Sequence, residues 1–522
     1  MTRLHLGFSC TENGLGGALS YEDGAAKDND TKSEEHFSIS LEQPIRLKNI
    51  VDSSSEKNKI DFSLNLMSVI GMSYAACMET RCLNGYEWPF QEGKMGELLI
   101  EYFNETLKPE ELLARHLLLW RKDNKKIFEG ADCLRIVVSL PSTFGMVRKT
   151  AIRQAFELSG LIVSKIITNE MSLYEMTLVE QENSISSAII AFNAFGVLFS
   201  NFHRKKNTVT VTKRSVLRSN TLLQTKINAI DYFAEEIRSR FSIEMVAQPR
   251  LVEKLIKEVE NKLGKDFDKK GIDIELVQLG NKNRKEKPLN YRNKFNAMDL
   301  LNVVEKTIHS IASSLASLKS VDLNEGRTLY VFGGTFEQFL IREGIKRSQF
   351  RNLRFREANK ALLSKGALQV CKNLYRIGSD RLNVELATHP LKIVALIQKK
   401  ELVTLFEAGQ RLPAISRQFV SMSTLNSTAL EVDIYEGALV LANDKRLVKN
   451  VLIKDLVGDR EGEGIVLLSF FLDEAGLFEL RASRPLNEKD YLVEELHSHG
   501  MDVASMESSK NRLRLLFKGL PF

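Results

Sequence analysis

The sequence predicts an α/β region followed by a smaller all-β region, and three observations predict it. The first is the run LRIVVSL at 134–140, apolar, β-branched and of strand length, which Pro141 stops. Residues 148–160 then carry Ala151, Ile152, Ala155, Phe156 and Leu158 at helical spacing, with Gly160 as a C-terminal stop. Residues 161–167 are a second buried run that delivers Asn169 and Glu170 to its end, so the unit is a parallel βαβ. The second observation is a long amphipathic helix at 298–318 leading into a buried strand at 328–335 that ends in a double glycine. The third is a change of texture. From Val384 onward, short alternating segments such as LEVDIY, NVLI, IVLLSF and LFEL are separated by turn residues, as in a β-sandwich.

The remaining elements follow in order. Residues 2–20 read as strand, glycine-containing turn and strand, and 23–35 as a polar loop. A helix is expected at 64–78 and another at 109–127, where Leu112, Leu113, Leu117 and Leu119 repeat at helical spacing. Residues 187–202 read as one strand, 203–207 as a turn and 208–213 as its hairpin partner. Helix is expected throughout 221–264, a basic loop at 281–294, and a helix at 357–374. A short helix is expected at 487–499, and 511–517 reads as a strand or helix edge.

Composition excludes several classes. At 522 residues the chain is too long for one core. A hydrophobic share of 43% and a charged share of 27% are ordinary for a globular chain, and no apolar run reaches membrane-spanning length. Five scattered cysteines without a CxxC pair predict reduced thiols, and the opening residues lack a signal-peptide pattern, so a cytoplasmic location is expected. A net charge of +6 is compatible with an acidic or RNA-rich partner without demanding one. Basic stretches at 203–206 and 282–287 read as solvated surface, with ribosomal RNA phosphates as the functional alternative.

In parallel sheets, ligands bind beyond the strand ends, which places Glu170 at such a crevice. A phosphate cradle needs glycines for close backbone approach and hydroxyls for added donors. Three glycine-bearing turns follow apolar strands: HLGFSCT at 5–11, AFNAFGVL at 191–198 and VFGGT at 331–335. The nucleotide-binding candidates are therefore Gly7, Ser9, Thr11, Gly196, Gly333, Gly334 and Thr335.

The segment IVVSLPSTFGMVRKTAIRQAFELSGLIVSKIITNEMSLYEMTL resembles the seventy-kilodalton heat-shock chaperones, which read V-P-A-x-F, R-x-A, G-L and I-N-E-P-T-A-A-A-L there. LEVDIYEGALVLANDKRLVKNVLIKDLVG and GIVLLSFFLDEAGLFELRA resemble that family's substrate-binding β-sandwich. The resemblance runs from Leu4 to Ala482. It implies an actin-like two-lobed ATPase-type domain at 1–378, a linker at 379–386, a peptide-binding-type sandwich at 387–485, and a short extension at 486–522 in place of a full helical lid. It also makes the three glycine turns the first phosphate loop, second phosphate loop and adenosine loop, with ATP as the implied ligand.

This chain departs from the family at the reactive positions. The first loop's metal-side aspartate is His5 and its first threonine Phe8, while Gly7, Ser9 and Thr11 keep a glycine and two hydroxyls. The second loop keeps one of three glycines, Gly196, and neither carboxylate. The catalytic lysine aligns with Met67, the adenine-contacting K-R-x-L-S with ENKLG at 260–264, and a later L-G-G loop with LLQ at 222–224. The polar linker SDRLNVEL replaces a leucine-rich acidic one. Glu170 keeps the family position but has no Mg²⁺ ligand set around it, so an efficient ATPase is not expected. With the lid missing, the pattern resembles the atypical Ssz-type subunit of the ribosome-associated complex. That implies a non-hydrolysing chaperone or co-chaperone acting with a zuotin-type J-domain protein on nascent or unfolded chains. Two other readings stay open at this level: an ATP-driven chaperone with an active cycle, and a nucleotide-independent scaffold.

Overall fold

A computed structural model describes residues 2–11, 14–23, 35–49, 59–79, 86–94, 96–102, 105–129, 131–141, 144–179, 188–193, 196–205, 208–217, 222–241, 252–258, 272–279, 289–295, 305, 308–309, 312–313, 328–332, 335–347, 354–358, 360–374, 388–389, 392–398, 401–407, 410–421, 429–436, 446–453, 465–473, 476–484, 487–496 and 503–521. The expected loop at 23–35, the boundary near 378 and the linker at 379–386 lie almost entirely outside these residues.

The first sheet uses β1 (Thr2–Thr11), β2 (Gly14–Asp23), β3 (Glu35–Ile39), β4 (Cys133–Leu140) and β5 (Lys165–Thr168) in the order β5-β4-β1-β2-β3. Helix α1 (Pro109–Asp123) precedes β4, α2 (Met146–Leu158) joins β4 to β5, and α3 (Asn169–Val179) follows β5. β1, β4 and β5 are parallel, while β1, β2 and β3 form an antiparallel meander. The predicted βαβ unit is therefore present. Ala151, Ile152, Ala155, Phe156 and Leu158 are all buried, and Gly160 ends the helix at φ +74°, a conformation that favours glycine.

The second sheet repeats this plan. β6 (Ala188–Asn193), β7 (Gly196–Lys205) and β8 (Thr208–Leu217) form a meander. Helix α4 (Leu222–Phe241) follows. β9 (Thr328–Phe332), α5 (Thr335–Lys346) and β10 (Arg354–Ala358) then supply a second βαβ unit, in the order β8-β7-β6-β9-β10. Each sheet is thus a three-stranded meander extended by two parallel strands. After β10, helix α6 (Lys360–Asn373) leaves its own sheet and packs along α3 and across β1, β2 and β4 of the first.

The C-terminal region is a sandwich of two four-stranded antiparallel sheets. One uses β11 (Ile393–Ile397), β12 (Glu401–Phe406), β14 (Leu430–Glu436) and β15 (Arg446–Ile453), ordered β12-β11-β14-β15. The other uses β13 (Ala414–Ser421), β16 (Ile465–Leu472), β17 (Phe478–Arg484) and β18 (Asn487–Leu496) in chain order. Ile393, Ala395, Val432, Ile434, Leu468, Phe470, Phe478 and Leu480 fill the space between them. The chain closes with α7 (Val503–Leu516).

Several expectations change. The helix expected at 64–78 is the end of a strand (Lys59–Asn65), a 3-10 turn (Leu66–Ser68) and a short helix (Tyr74–Glu79). The Asn65 side chain accepts from the Met67 N–H at 2.9 Å, which starts that turn. The single strand expected at 187–202 is two antiparallel strands, β6 and β7, with Asn193 opposite Gly196. Of the helix expected over 221–264, residues 222–241 and 252–258 are helical, and 242–251 and 259–264 lie outside the described residues. Within the expected loop at 281–294, Leu289–Phe295 is a strand paired with Ile272–Leu279. Residues 487–496 form strand β18 rather than a helix, because alternating residues there complete the sheet edge beside β17. Residues 511–516 are helical. No helix among the described residues is long and apolar enough to cross a membrane.

Candidate functional site

Central strand β1 is buried on both faces, as parallel strands between helical layers are. Leu4, Leu6, Phe8 and Cys10 point to one side, and His5, Gly7 and Ser9 to the other. Phe8 sits edge-on to Phe37, Trp120 and Phe156 with ring centroids 5.4, 5.6 and 5.1 Å away. Phe8, which the resemblance sets in place of a family threonine, is thus an anchor of the aromatic core.

The opposite face of β1 lies beneath α6. A Cβ on Gly7 would fall 2.2 Å from the Leu368 nitrogen and 2.5 Å from the Ser364 carbonyl oxygen, both backbone atoms. Gly366 answers from the helix side: a Cβ there would fall 1.9 Å from the Ser172 carbonyl oxygen of α3. Two glycines therefore set how closely strand, α6 and α3 approach. Gly7 lies mid-strand and Ser9 nearer the C-terminal end of β1, each with β4 on one side and β2 on the other. Thr11 ends the strand opposite Gly14.

His5 is fully buried, with Nδ1 3.6 Å from the Cys371 Sγ of α6. The thiol lies 3.5 Å from the Arg135 carbonyl oxygen, and burial pushes its pKa up to about 12. A neutral thiol therefore packs beside the imidazole that the resemblance sets in place of a metal-side carboxylate. This pair does not fit Mg²⁺, which binds through carboxylates, phosphates and water. Met67, aligned with the family's lysine, is buried and carries no charge.

Glu170 is the second residue of α3, directly after β5, and is 1% exposed. Its neighbour Asn169 accepts a 2.7 Å hydrogen bond from the Ser139 hydroxyl, and Ser139 stands in register beside Ser9. The structure therefore gathers Ser9, Ser139, Asn169 and Glu170 at the C-terminal ends of β1, β4 and β5. Gly196 and Thr335 belong to the second sheet. Gly196 opens β7 opposite Asn193, and Thr335 opens α5. Gly333 and Gly334 lie outside the described residues.

In the sandwich, β11 and β12 pair as neighbours in chain and sheet. Gln398, directly after β11, takes φ +52°, its N–H donates to the Glu431 carbonyl at 2.8 Å, and its Nε2 donates to the Ala429 carbonyl at 2.7 Å. On these two strands Ile397, Leu405 and Phe406 are core residues.

Sequence reasoning missed one contact between the two regions. Glu436 of β14 accepts from the Met146 N–H at 3.1 and 3.2 Å, so a buried carboxylate of the sandwich caps the N-terminus of α2. Gly145 makes room for it, since a Cβ there would fall 2.2 Å from the carboxylate oxygen. Met146 itself is part of the sandwich core. No local signal could reveal a pair 290 positions apart.

A model of the Hsp70 protein family matches residues 57–512. The matched span begins after β3 and takes in the second sheet, the sandwich and most of α7, leaving β1 and its unusual residues outside. On that match, with the paired sheets and the following sandwich, the chain belongs to the Hsp70 protein family, whose members are nucleotide-binding chaperones.

Proposed function

We propose that this chain is a non-cycling Hsp70-family chaperone subunit that works beside a J-domain partner, of zuotin type, on nascent or unfolded chains at the ribosome. One observation carries the reading. The β1 face that would meet nucleotide phosphate is closed by α6, with His5 and the Cys371 thiol in place of charged groups. Phosphoryl transfer depends on metal and cations to hold the migrating charge, and a buried Glu170 alone supplies neither. The cytoplasm follows from the ribosomal partner. Any contact with ATP is assigned to Thr11, Gly196 and residues 333–335 rather than to Gly7 or Ser9, which lie within β1.

Single-turnover ATP hydrolysis with and without a J-domain protein tests this, and no stimulated turnover is expected. A clear J-stimulated rate would restore the active ATP-driven cycle. The scaffold reading is separated by melting the chain with and without millimolar ATP, because a ligand that binds only the folded state raises its stability. A pull-down from ribosome-containing lysate at low and high salt tests the partner, with a J-domain protein expected among the retained proteins.

A further inference from the structure

After β18 closes the sandwich, α7 lies on α1 and α2 of the first unit. Leu513 is fully buried in the core of that unit, and Met506 and Phe517 pack against the same core. The Arg512 guanidinium pairs with the carboxylate of Glu111, which is itself fully buried and accepts from the Lys108 N–H at 2.8 Å. The same guanidinium donates to the Thr106 carbonyl at 3.4 Å. Further along α1, the Arg115 guanidinium lies 5.4 Å from the Tyr102 ring and 5.2 Å from the Phe517 ring. Arg121 donates to the Pro521 carbonyl at 3.1 Å. These contacts follow α1 from Glu111 to Arg121, about 15 Å at the helical rise.

We propose that α7 is a strap that keeps the sandwich seated on α2. Two grips act on the same helix. The Glu436 carboxylate holds its N-terminal N–H, and Met146 enters the sandwich core. Meanwhile the chain leaving the sandwich is anchored on α1 and α2 through Leu513, Arg512 and Phe517. The strap shortens the tether of the sandwich, so the Glu436 contact re-forms each time it opens. None of these contacts involves the nucleotide-binding candidates, so the strap holds whether or not nucleotide binds.

The test is amide hydrogen exchange and small-angle X-ray scattering on the full-length chain and two variants, Leu513→Asp and Arg512→Ala. In the unmodified chain, slow exchange is expected in α7 and in the first turn of α2 around Met146. Leu513→Asp should speed exchange in both segments at least about tenfold and enlarge the radius of gyration, because local protection reports the free energy of local opening. Faster exchange in α7 alone, with the first turn of α2 and the scattering unchanged, overturns the strap. So does an α7 that exchanges without protection in the unmodified chain. Should Leu513→Asp lose its cooperative melt, Arg512→Ala decides by the same two readouts: faster exchange around Met146 supports the strap, and unchanged exchange overturns it.

Discussion

Gly7 is the residue whose role most sharply separates a packing position from a phosphate cradle. Substitution Gly7→Ala adds one methyl group. Its carbon would fall 2.2 Å from the Leu368 nitrogen, 2.5 Å from the Ser364 oxygen and 2.7 Å from the Leu368 Cα. All three are backbone atoms of α6, so no side-chain rotation relieves the clash, and the helix must move off the sheet. Overpacking of a closed core costs about 1–3 kcal/mol, and a clash with backbone belongs at the upper end. For a cooperative unit of several hundred residues, about 3 kcal/mol lowers the melting temperature by roughly 4 °C. The assay is calorimetric or circular-dichroism melting without nucleotide. A Gly7→Ala chain that melts with the unmodified protein, but loses an ATP-induced rise in melting temperature, would refute the packing argument and return Gly7 to the phosphate site.

Two further outcomes are expected. Phe8→Thr restores the family's hydroxyl at that position, yet it should produce no ATPase activity and should destabilise the chain by about 3–5 kcal/mol, read by denaturant unfolding. The loss comes from the edge-on contacts to Phe37, Trp120 and Phe156. Glu175 of α3 is buried, and desolvation pushes its carboxyl from 4.5 up to about 7. The folded chain thus keeps a proton that the unfolded chain has released, so this group lowers stability as pH rises between those values, and the full penalty remains above them. Glu175→Gln should remove that part of the slope and stabilise the chain at pH 8 by on the order of 3 kcal/mol. Glu110, pushed up to about 7 by burial, leaves a residual slope of the same sign. Identical pH profiles for the two chains would count against a buried, proton-holding Glu175.

Much of the architecture was legible because its causes are local. The β-branched run in β4, the apolar face of α2, and Gly160 at positive φ are each specified by a dozen neighbouring residues. The same is true of the alternating strands of the sandwich, where each inward residue of β14 and β16 meets the core. Local pattern failed at 487–499, where strand and helix templates compete and the open edge of β17 decides. It failed also at 187–202, where one long apolar run supplies two antiparallel strands.

By itself, the sequence determined the parallel unit that carries Glu170, the change to an all-β region, and the exchange of polar and charged family residues for His5, Phe8 and Met67. Only the tertiary structure decided what those exchanges mean. Whether Gly7 lies in a phosphate loop or against a helix depends on Ser364 and Leu368, more than three hundred positions later. Whether the sandwich is held in place depends on Glu436 reaching Met146 and Arg512 reaching Glu111. Periodicity reports the face a residue presents, because that follows from backbone geometry over a few residues. What the face meets is set by chain reversals between distant segments, and those leave no mark in the local pattern.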